Sequence, residues 1–208
     1  MNKLNIAILI GRGGRLPAIY KCCKKDPLVN LALVVSHKKE SPGINLAKKW
    51  RIESFYFRLS DWQKQGKSRE DYNRELARIL AEKNIDLVAM AGWDIVMDKN
   101  FLEQFPRKVI NIHPSLCPAF PGPWEEVAKN TLDYGVKITG CTLHFVDEGV
   151  DTGAIIFQEA VEVTPDDTIE SLGEKIHQKE EKIICKAIKL FARDKIKIKI
   201  KGRRVWTF

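Results

Sequence analysis

The alternation of short apolar runs with amphipathic stretches of helical length constrains the fold of this chain more than any other feature. The apolar runs of strand length in the first half are residues 4–10, 31–35, 54–57, 85–90 and 109–113. Helices are predicted at residues 16–25, 43–50, 68–83 and 101–105, and a polar loop at residues 61–67. Strands that alternate with helices predict a parallel sheet with right-handed crossover connections.

The second half of the chain has a different pattern. After a predicted helix at residues 124–134, a turn-rich segment joins two apolar runs at 138–146 and 154–163, which predicts an antiparallel pair of strands. A long helix is predicted at residues 168–192. We therefore expect one α/β domain over residues 1–208. Its sheet should be Rossmann-like, mostly parallel, twisted and flanked by helices, with antiparallel strands in the C-terminal half.

An amide and an imidazole stand side by side at the end of the strand at residues 109–113. Side chains alternate along a strand, so Asn111 and His113 emerge on the same face, and Pro114 ends the strand. Open α/β sheets bind ligands at the carboxyl ends of their strands. An amide can stabilise an oxyanion, and an imidazole can stabilise charge or move a proton. Asp151, in the later turn-rich segment, could orient His113 or accept a proton.

A glycine-rich loop follows the first strand. Gly11, Arg12, Gly13, Gly14 and Arg15 lie between that strand and a helix, where backbone amides and the helix N-terminus favour a phosphate group. A dinucleotide site would need a small residue where Leu16 stands and an acidic residue at the end of the second strand. That strand ends instead in Ser36-His37-Lys38-Lys39, so a monophosphate suits the loop better than NAD.

Composition limits the remaining possibilities. The five cysteines are odd in number and lack CxxC spacing, which favours reduced thiols in a cytoplasmic protein over a zinc site. No apolar run approaches the roughly 20 residues that span a membrane. The net charge of +8 is uneven, because residues 182–208 hold ten basic residues and one acidic residue. This basic tail could contact nucleic acid, but the strict alternation at residues 195–201 favours a lysine-rich edge strand.

The motifs together resemble those of the folate-dependent formyltransferases. The resemblance rests on Asn111-Ile112-His113-Pro114-Ser115-Leu116, on Pro118-Ala119-Phe120-Pro121-Gly122, on residues 135–146 and on the segment around Asp151. It extends over nearly the whole chain. It implies a co-substrate, 10-formyltetrahydrofolate, no metal, and catalysis by Asn111, His113 and Asp151. Within the family, the chain is most similar to enzymes that formylate the amine of glycinamide ribonucleotide in purine biosynthesis.

The resemblance also assigns binding roles. It implies a phosphate-binding half at residues 1–105, a catalytic and folate-binding half at residues 106–208, and an active site in a cleft. The glycine loop would hold the substrate's phosphate, and Glu180 would contact its ribose, although a solvent-exposed charge is an equally good interpretation of Glu180. The residues that it assigns to folate binding are Arg69, Trp93, Asp94, Ile95, Val96, Met97, Val146, Asp147 and Val150. For Trp93 and Met97, an ordinary place in the core remains the alternative.

The resemblance further implies a direct transfer. Asn111 and protonated His113 would stabilise the tetrahedral oxyanion, while Asp151 would position His113 and help to carry the proton of the amine. The expected partners are small-molecule substrates, without a membrane and without nucleic acid. The expected assembly is a monomer or a homodimer.

Two loops depart from the family pattern. Ile10 and Gly14-Arg15 stand where relatives carry a Ser before the first Gly and a Ser-Asn pair at the loop's end, and Trp124-Glu125-Glu126 replaces a His-containing segment. Arg15 could bind a phosphate in a bidentate manner or indicate a changed substrate. The alternatives are therefore a formyltransferase for an amino-sugar nucleotide, a hydrolase that releases formate, and a nucleic-acid-binding protein using the basic tail. A methionyl-tRNA formyltransferase would need an additional C-terminal domain.

Overall fold

The computed structural model describes residues 3–196, 198–201 and 204–207. The strands of this part are β1 (Leu4–Ile10), β2 (Val29–Ser36), β3 (Glu53–Tyr56), β4 (Leu87–Ala91), β5 (Val109–His113), β6 (Ile138–Phe145), β7 (Ile155–Glu162), β8 (Ile198–Lys201) and β9 (Arg204–Thr207). The helices are α1 (Leu16–Lys25), α2 (Pro42–Lys49), α3 (Leu59–Gln63), α4 (Arg69–Glu82), α5 (Lys99–Gln104), α6 (Trp124–Asp133) and α7 (Ile169–Phe191).

The sheet has the predicted mixture of parallel and antiparallel strands. The hydrogen-bonded order is β3-β2-β1-β4-β5-β6-β7. Strand β1 is parallel to both β2 and β4, β2 is parallel to β3, and β6 and β7 are antiparallel. The predicted α/β fold class is therefore confirmed. The chain divides into two compact units, residues 1–110 and 111–208, and the boundary falls inside β5.

The first unit is organised around the buried strands β1, β2 and β4. The last five residues of β1 and all five of β4 are buried, as expected for strands covered on both faces. Helix α4 packs Leu76 and Leu80 inward at helical spacing. Its first turn is closed by a capping box, in which Ser68 and Asp71 each accept a hydrogen bond from the other's backbone N–H. The predicted start of this helix is confirmed.

The polar loop predicted at residues 61–67 is wrong in part, because α3 covers its first three residues. Aromatic contacts hold this short helix. The ring of Trp62 lies 5.4 Å from that of Phe57 and 6.0 Å from that of Tyr72, and the hydroxyl of Tyr56 donates to Asp61 (2.6 Å). Because these partners lie outside the five-residue helix, they leave no periodic signal within it.

The basic tail begins in the last turns of α7 and ends in an antiparallel pair, β8 with β9. The strand predicted at residues 195–201 is confirmed over Ile198–Lys201 and is wrong for residues 195–196, which lie outside any strand. Lys197 lies outside the described residues. The prediction that this strand has one buried face stays a prediction, because its side chains lie outside the described part of the chain.

No helix within residues 3–196, 198–201 and 204–207 is both long enough and apolar enough to cross a membrane.

Candidate active site

The end of β5 presents Asn111 and His113 on one face, as the alternation of the strand predicts. Both side chains contact Asp151: Asn111 Nδ2 donates to Oδ1 over 3.3 Å, and His113 Nδ1 lies 3.2 Å from Oδ2. The side chain of His113 is 3% exposed and that of Asp151 is 10% exposed, and Asn111 is half-buried. The three residues that the sequence singled out for catalysis therefore form one cluster in the second unit.

The backbone around Asp151 fixes its carboxylate from the other side. The N–H of Gly122 donates to Asp151 Oδ2 over 3.1 Å. Asp151 itself has a φ of 54°, in the left-handed region that Asp and Asn adopt more readily than most residues. Asp151 therefore joins the loop after β5 to the turn between β6 and β7.

A second histidine belongs to this cluster, and sequence reasoning missed it. His144, near the end of β6, places Nε2 3.3 Å from Asn111 Nδ2 and 3.5 Å from Asp151 Oδ1. Only 2% of His144 is exposed. A polar residue in a strand of otherwise apolar or small residues needs a buried partner, and this was the signal available in the sequence.

The tautomers of the two histidines follow from their backbone partners. His113 Nε2 lies 2.9 Å from the carbonyl oxygen of Phe120, and His144 Nδ1 lies 2.8 Å from that of Phe145. A carbonyl oxygen only accepts hydrogen bonds, so each of these nitrogens carries a proton. In the neutral rings, the nitrogens that face Asp151 are then unprotonated. The cluster can accept one further proton between a ring nitrogen and the carboxylate.

Burial and charge act against each other on these groups. Burial lowers the pKa of His113 below its ordinary value, although the charge of Asp151 and the carbonyl of Phe120 oppose this. Burial alone would raise the pKa of Asp151. The contacts with His144 and His113, which act when those rings are protonated, and the N–H of Gly122 outweigh it, so the pKa of Asp151 is lower than usual. Near neutral pH, the resting cluster therefore combines an ionised carboxylate with a mostly neutral His113.

The glycine loop after β1 is held tightly in the first unit. The carbonyl of Gly11 accepts hydrogen bonds from the hydroxyls of Ser36 and Ser41, each over 2.8 Å. Gly13 has a φ of 86°, and a Cβ there would lie 2.8 Å from the Cα of Gly43. Arg12 and Gly14 are exposed, and Arg15 is the half-buried N-cap residue of α1. Phosphate binding by residues 11–15 stays a prediction.

The residues assigned to folate lie in two places, and each is described within its own unit. In the first unit, Trp93 and Met97 are buried, Ile95 and Val96 are half-buried, and the side chain of Asp94 is 57% exposed. Arg69 is exposed at the start of α4. In the second unit, Val146 is half-buried, while Asp147 and Val150 are exposed. Their role in folate binding stays a prediction.

Two side chains of the second unit, those of Glu180 and Trp124, pack against the protein in a way that the sequence around them did not predict. Glu180 on α7 is fully buried, so its interpretation as a solvent-exposed charge is wrong. Its ribose-binding role stays a prediction. Trp124 covers Gly173 of α7 so closely that a Cβ on Gly173 would lie 3.0 Å from Cζ2 of the indole. The side chains of Glu125 and Glu126, which follow Trp124, are exposed.

Among the described residues, no group of three or more His, Cys, Asp or Glu side chains has an arrangement that could hold a metal ion.

Comparison with known proteins gives a consistent result. Residues 4–188 match the family model described as formyl transferase. The phosphoribosylglycinamide formyltransferase of Dictyostelium discoideum is 36% identical over 90% of this chain and 98% of its own. The trifunctional purine biosynthetic protein adenosine-3 of Gallus gallus is 37% identical over 99% of this chain, which spans 20% of that relative's length. The crystal structure of glycinamide ribonucleotide transformylase 1 from Symbiobacterium toebii superposes with a TM-score of 0.90 at 36% identity, covering 99% of this chain and 94% of that one.

Proposed function

We propose, because the chain belongs to the formyl transferase family, that it transfers the formyl group of 10-formyltetrahydrofolate to the primary amine of glycinamide ribonucleotide. The names of its full-length relatives and of its structural neighbours support this assignment. The reaction is a step of purine biosynthesis. We place it in the cytoplasm, where free thiols such as the five cysteines of this chain persist.

The transfer needs no nucleophile from the protein. The amine nitrogen attacks the formyl carbon and forms a C–N bond, and the carbonyl oxygen becomes an oxyanion. The bond between this carbon and N10 of the folate then breaks, N10 gains a proton, and the amine loses one. The protein has to stabilise the oxyanion, move the proton and hold the two substrates in register.

The Asp151 cluster matches these tasks. Of the three side chains, the half-buried amide of Asn111 is the neutral hydrogen-bond donor, and we assign it to the oxyanion. Asp151 accepts the proton that leaves the amine and passes it to the unprotonated Nδ1 of His113, 3.2 Å away. The resulting imidazolium, in a buried site of low dielectric constant, then stabilises the neighbouring negative charge. As the bond between the formyl carbon and N10 breaks, this proton passes on to N10, and the ring returns to its neutral form. The lowered pKa of His113 favours this order, because the ring begins neutral.

Substrate binding is assigned in the same proposal. Residues 11–15 bind the phosphate of the ribonucleotide, with Arg15 replacing the donors found in relatives, and Glu180 accepts hydrogen bonds from the ribose. The folate-binding residues are Arg69 and residues 93–97 in the first unit, and Val146, Asp147 and Val150 in the second.

The observation that carries the proposal is the set of contacts made by Asp151 with Asn111, His113 and His144. The test is a formyl-transfer assay that follows folate absorbance, with purified protein and 10-formyltetrahydrofolate. Glycinamide ribonucleotide, an amino-sugar nucleotide and buffer serve as parallel acceptors. We expect turnover with glycinamide ribonucleotide alone. Turnover only with the sugar nucleotide would replace the acceptor, and donor consumption in buffer would indicate a hydrolase.

A further inference from the structure

A buried histidine of the first unit has no part in the Asp151 cluster. His37 directly follows β2, and its backbone N–H donates to the carbonyl of Ile10 at the end of β1 (3.2 Å). The residue is only 3% exposed. Neither ring nitrogen makes a hydrogen bond of normal geometry with a described residue, so the close contacts of the ring indicate its role.

The ring of His37 contacts the loop after β1 and the segment after β4. A Cβ placed on Gly11 would lie 3.4 Å from His37 Cε1, so the glycine loop passes directly over the ring. His37 Nε2 also lies 3.2 Å from Asp94 Oδ1. The ring of Trp93 meets the imidazole edge to face, with centroids 5.1 Å apart.

Asp94 has two nitrogen-bearing neighbours of different kinds. Its Oδ1 faces buried His37, and its Oδ2 lies 3.3 Å from Lys38 Nζ, whose side chain is half exposed. The close contact with His37 is the main cause that lowers the pKa of Asp94 to about 2. An exposed lysine pair contributes little, because it is screened by water and loses side-chain entropy. The buried ring cannot swing away, so His37 is the partner that fixes the position of Asp94.

The backbone that carries Asp94 is also tightly confined. Gly92 has a φ of 85°, and its carbonyl oxygen would lie 2.7 Å from a Cβ on Gly11. Val96, further along, accepts a hydrogen bond from Asn73 of α4 through its carbonyl (3.4 Å). The segment of residues 92–97 is thus held at its start by the glycine loop, in its middle by His37, and near its end by α4.

We propose that His37 is a positioning residue for the formyl donor: through Asp94 and Trp93 it fixes residues 92–97 so that they bind the bicyclic ring of the folate. The inference rests on the proposed function, which assigns this segment to folate. It adds a residue, His37, that touches neither substrate. Loss of its contacts loosens the segment, and the folate then has to order the segment when it binds, which weakens its affinity.

The test compares His37→Ala with His37→Gln, whose side-chain amide can still donate to Asp94, and with Lys38→Ala, which removes the exposed partner of the same carboxylate. For His37→Ala we expect the KM of the formyl donor to rise about tenfold, about 1.4 kcal/mol, while kcat and the KM of the amine change less than threefold. His37→Gln should recover most of this loss. Lys38→Ala should stay within twofold of the wild type.

A second readout does not depend on turnover. The dissociation constant of tetrahydrofolate, the product of the transfer, is measured by calorimetry for each variant and should rise in parallel with the KM of the donor. If His37→Ala does not fold, His37→Gln and Asp94→Asn take its place in the test. Asp94→Asn should raise both the KM of the formyl donor and the dissociation constant of tetrahydrofolate.

The outcomes that oppose the inference are distinct. If His37→Ala folds and the KM of the formyl donor is unchanged, the inference is overturned. This holds also if kcat falls while the KM of the donor and the KM of the amine stay unchanged. If the wild type neither turns over nor binds tetrahydrofolate, the proposed function fails, and this inference fails with it.

Discussion

At the scale of single residues, Asn111 offers the most direct test of the chemistry, because its amide is the proposed donor to the oxyanion. Asn111→Ala should lower turnover on the order of 100- to 1,000-fold, since the loss of one oxyanion donor typically has this effect. The steady-state assay with glycinamide ribonucleotide measures it. Asn130→Ala, an exposed asparagine of α6, is the matched control and should keep wild-type turnover. Full turnover of Asn111→Ala would remove this amide from the mechanism.

His113 makes stability depend on pH. Its pKa in the folded protein is below the ordinary value of 6.5, mainly because of burial, so the unfolded chain takes up a proton first as the pH falls. Stability should therefore decrease as the pH falls below about 6.5. Urea unfolding at pH 7.5 and pH 5.5 measures the loss. His113→Gln should lose less stability than the wild type over this interval. An identical loss in both proteins would contradict the assignment.

Residue-scale prediction succeeded where a local rule applied. The alternation of side chains along a strand and the proline after it were enough to pair Asn111 with His113. His144 and the burial of Glu180 depend on which strands and helices pack together, and this information is not local. The catalytic role of Asp151 was predicted only because the resemblance extended through its turn.

At the scale of elements, the turn between β1 and α1 shows how a close backbone approach limits substitution. Gly13→Ala adds a methyl group that would meet the Cα of Gly43 and the side chain of Ile10, in addition to the strain of a positive φ. We expect a loss of about 1–3 kcal/mol in the free energy of unfolding, measured with urea. Gly66→Ala is the control, because Gly66 has a φ of 74° but nothing within 4 Å of its Cβ position. An equal loss in both variants would show that the contact with Gly43 has no effect.

Elements with strong periodicity or clear caps were predictable. Helix α1 has the predicted bounds, and α4 begins at its predicted cap. Helix α3 was not predictable, because rings of Phe57 and Tyr72 hold it and neither lies within it.

At the scale of the whole molecule, the order of elements in the sequence predicted the sheet, because crossover connections force parallel strands and short turns allow antiparallel ones. The two departures from the family pattern were harder to interpret. Trp124 contacts α7 through Gly173, so packing within the second unit accounts for its large side chain. The exposed Glu125 and Glu126 lie in the first turn of α6, where negative charge complements the helix dipole. The match to the family model ends at residue 188, which leaves most of the basic tail outside it.

The left-handed backbone of Asp151 determines which substitutions can be interpreted at this position. Alanine removes the carboxylate and also disfavours the backbone conformation, so a slow Asp151→Ala enzyme would combine two defects. Asparagine keeps the shape and tolerates this conformation, so Asp151→Asn isolates the charge. Natural variation at position 151 is therefore restricted by geometry as well as by chemistry, and a relative with Asn at this position would keep the turn while losing the proton acceptor.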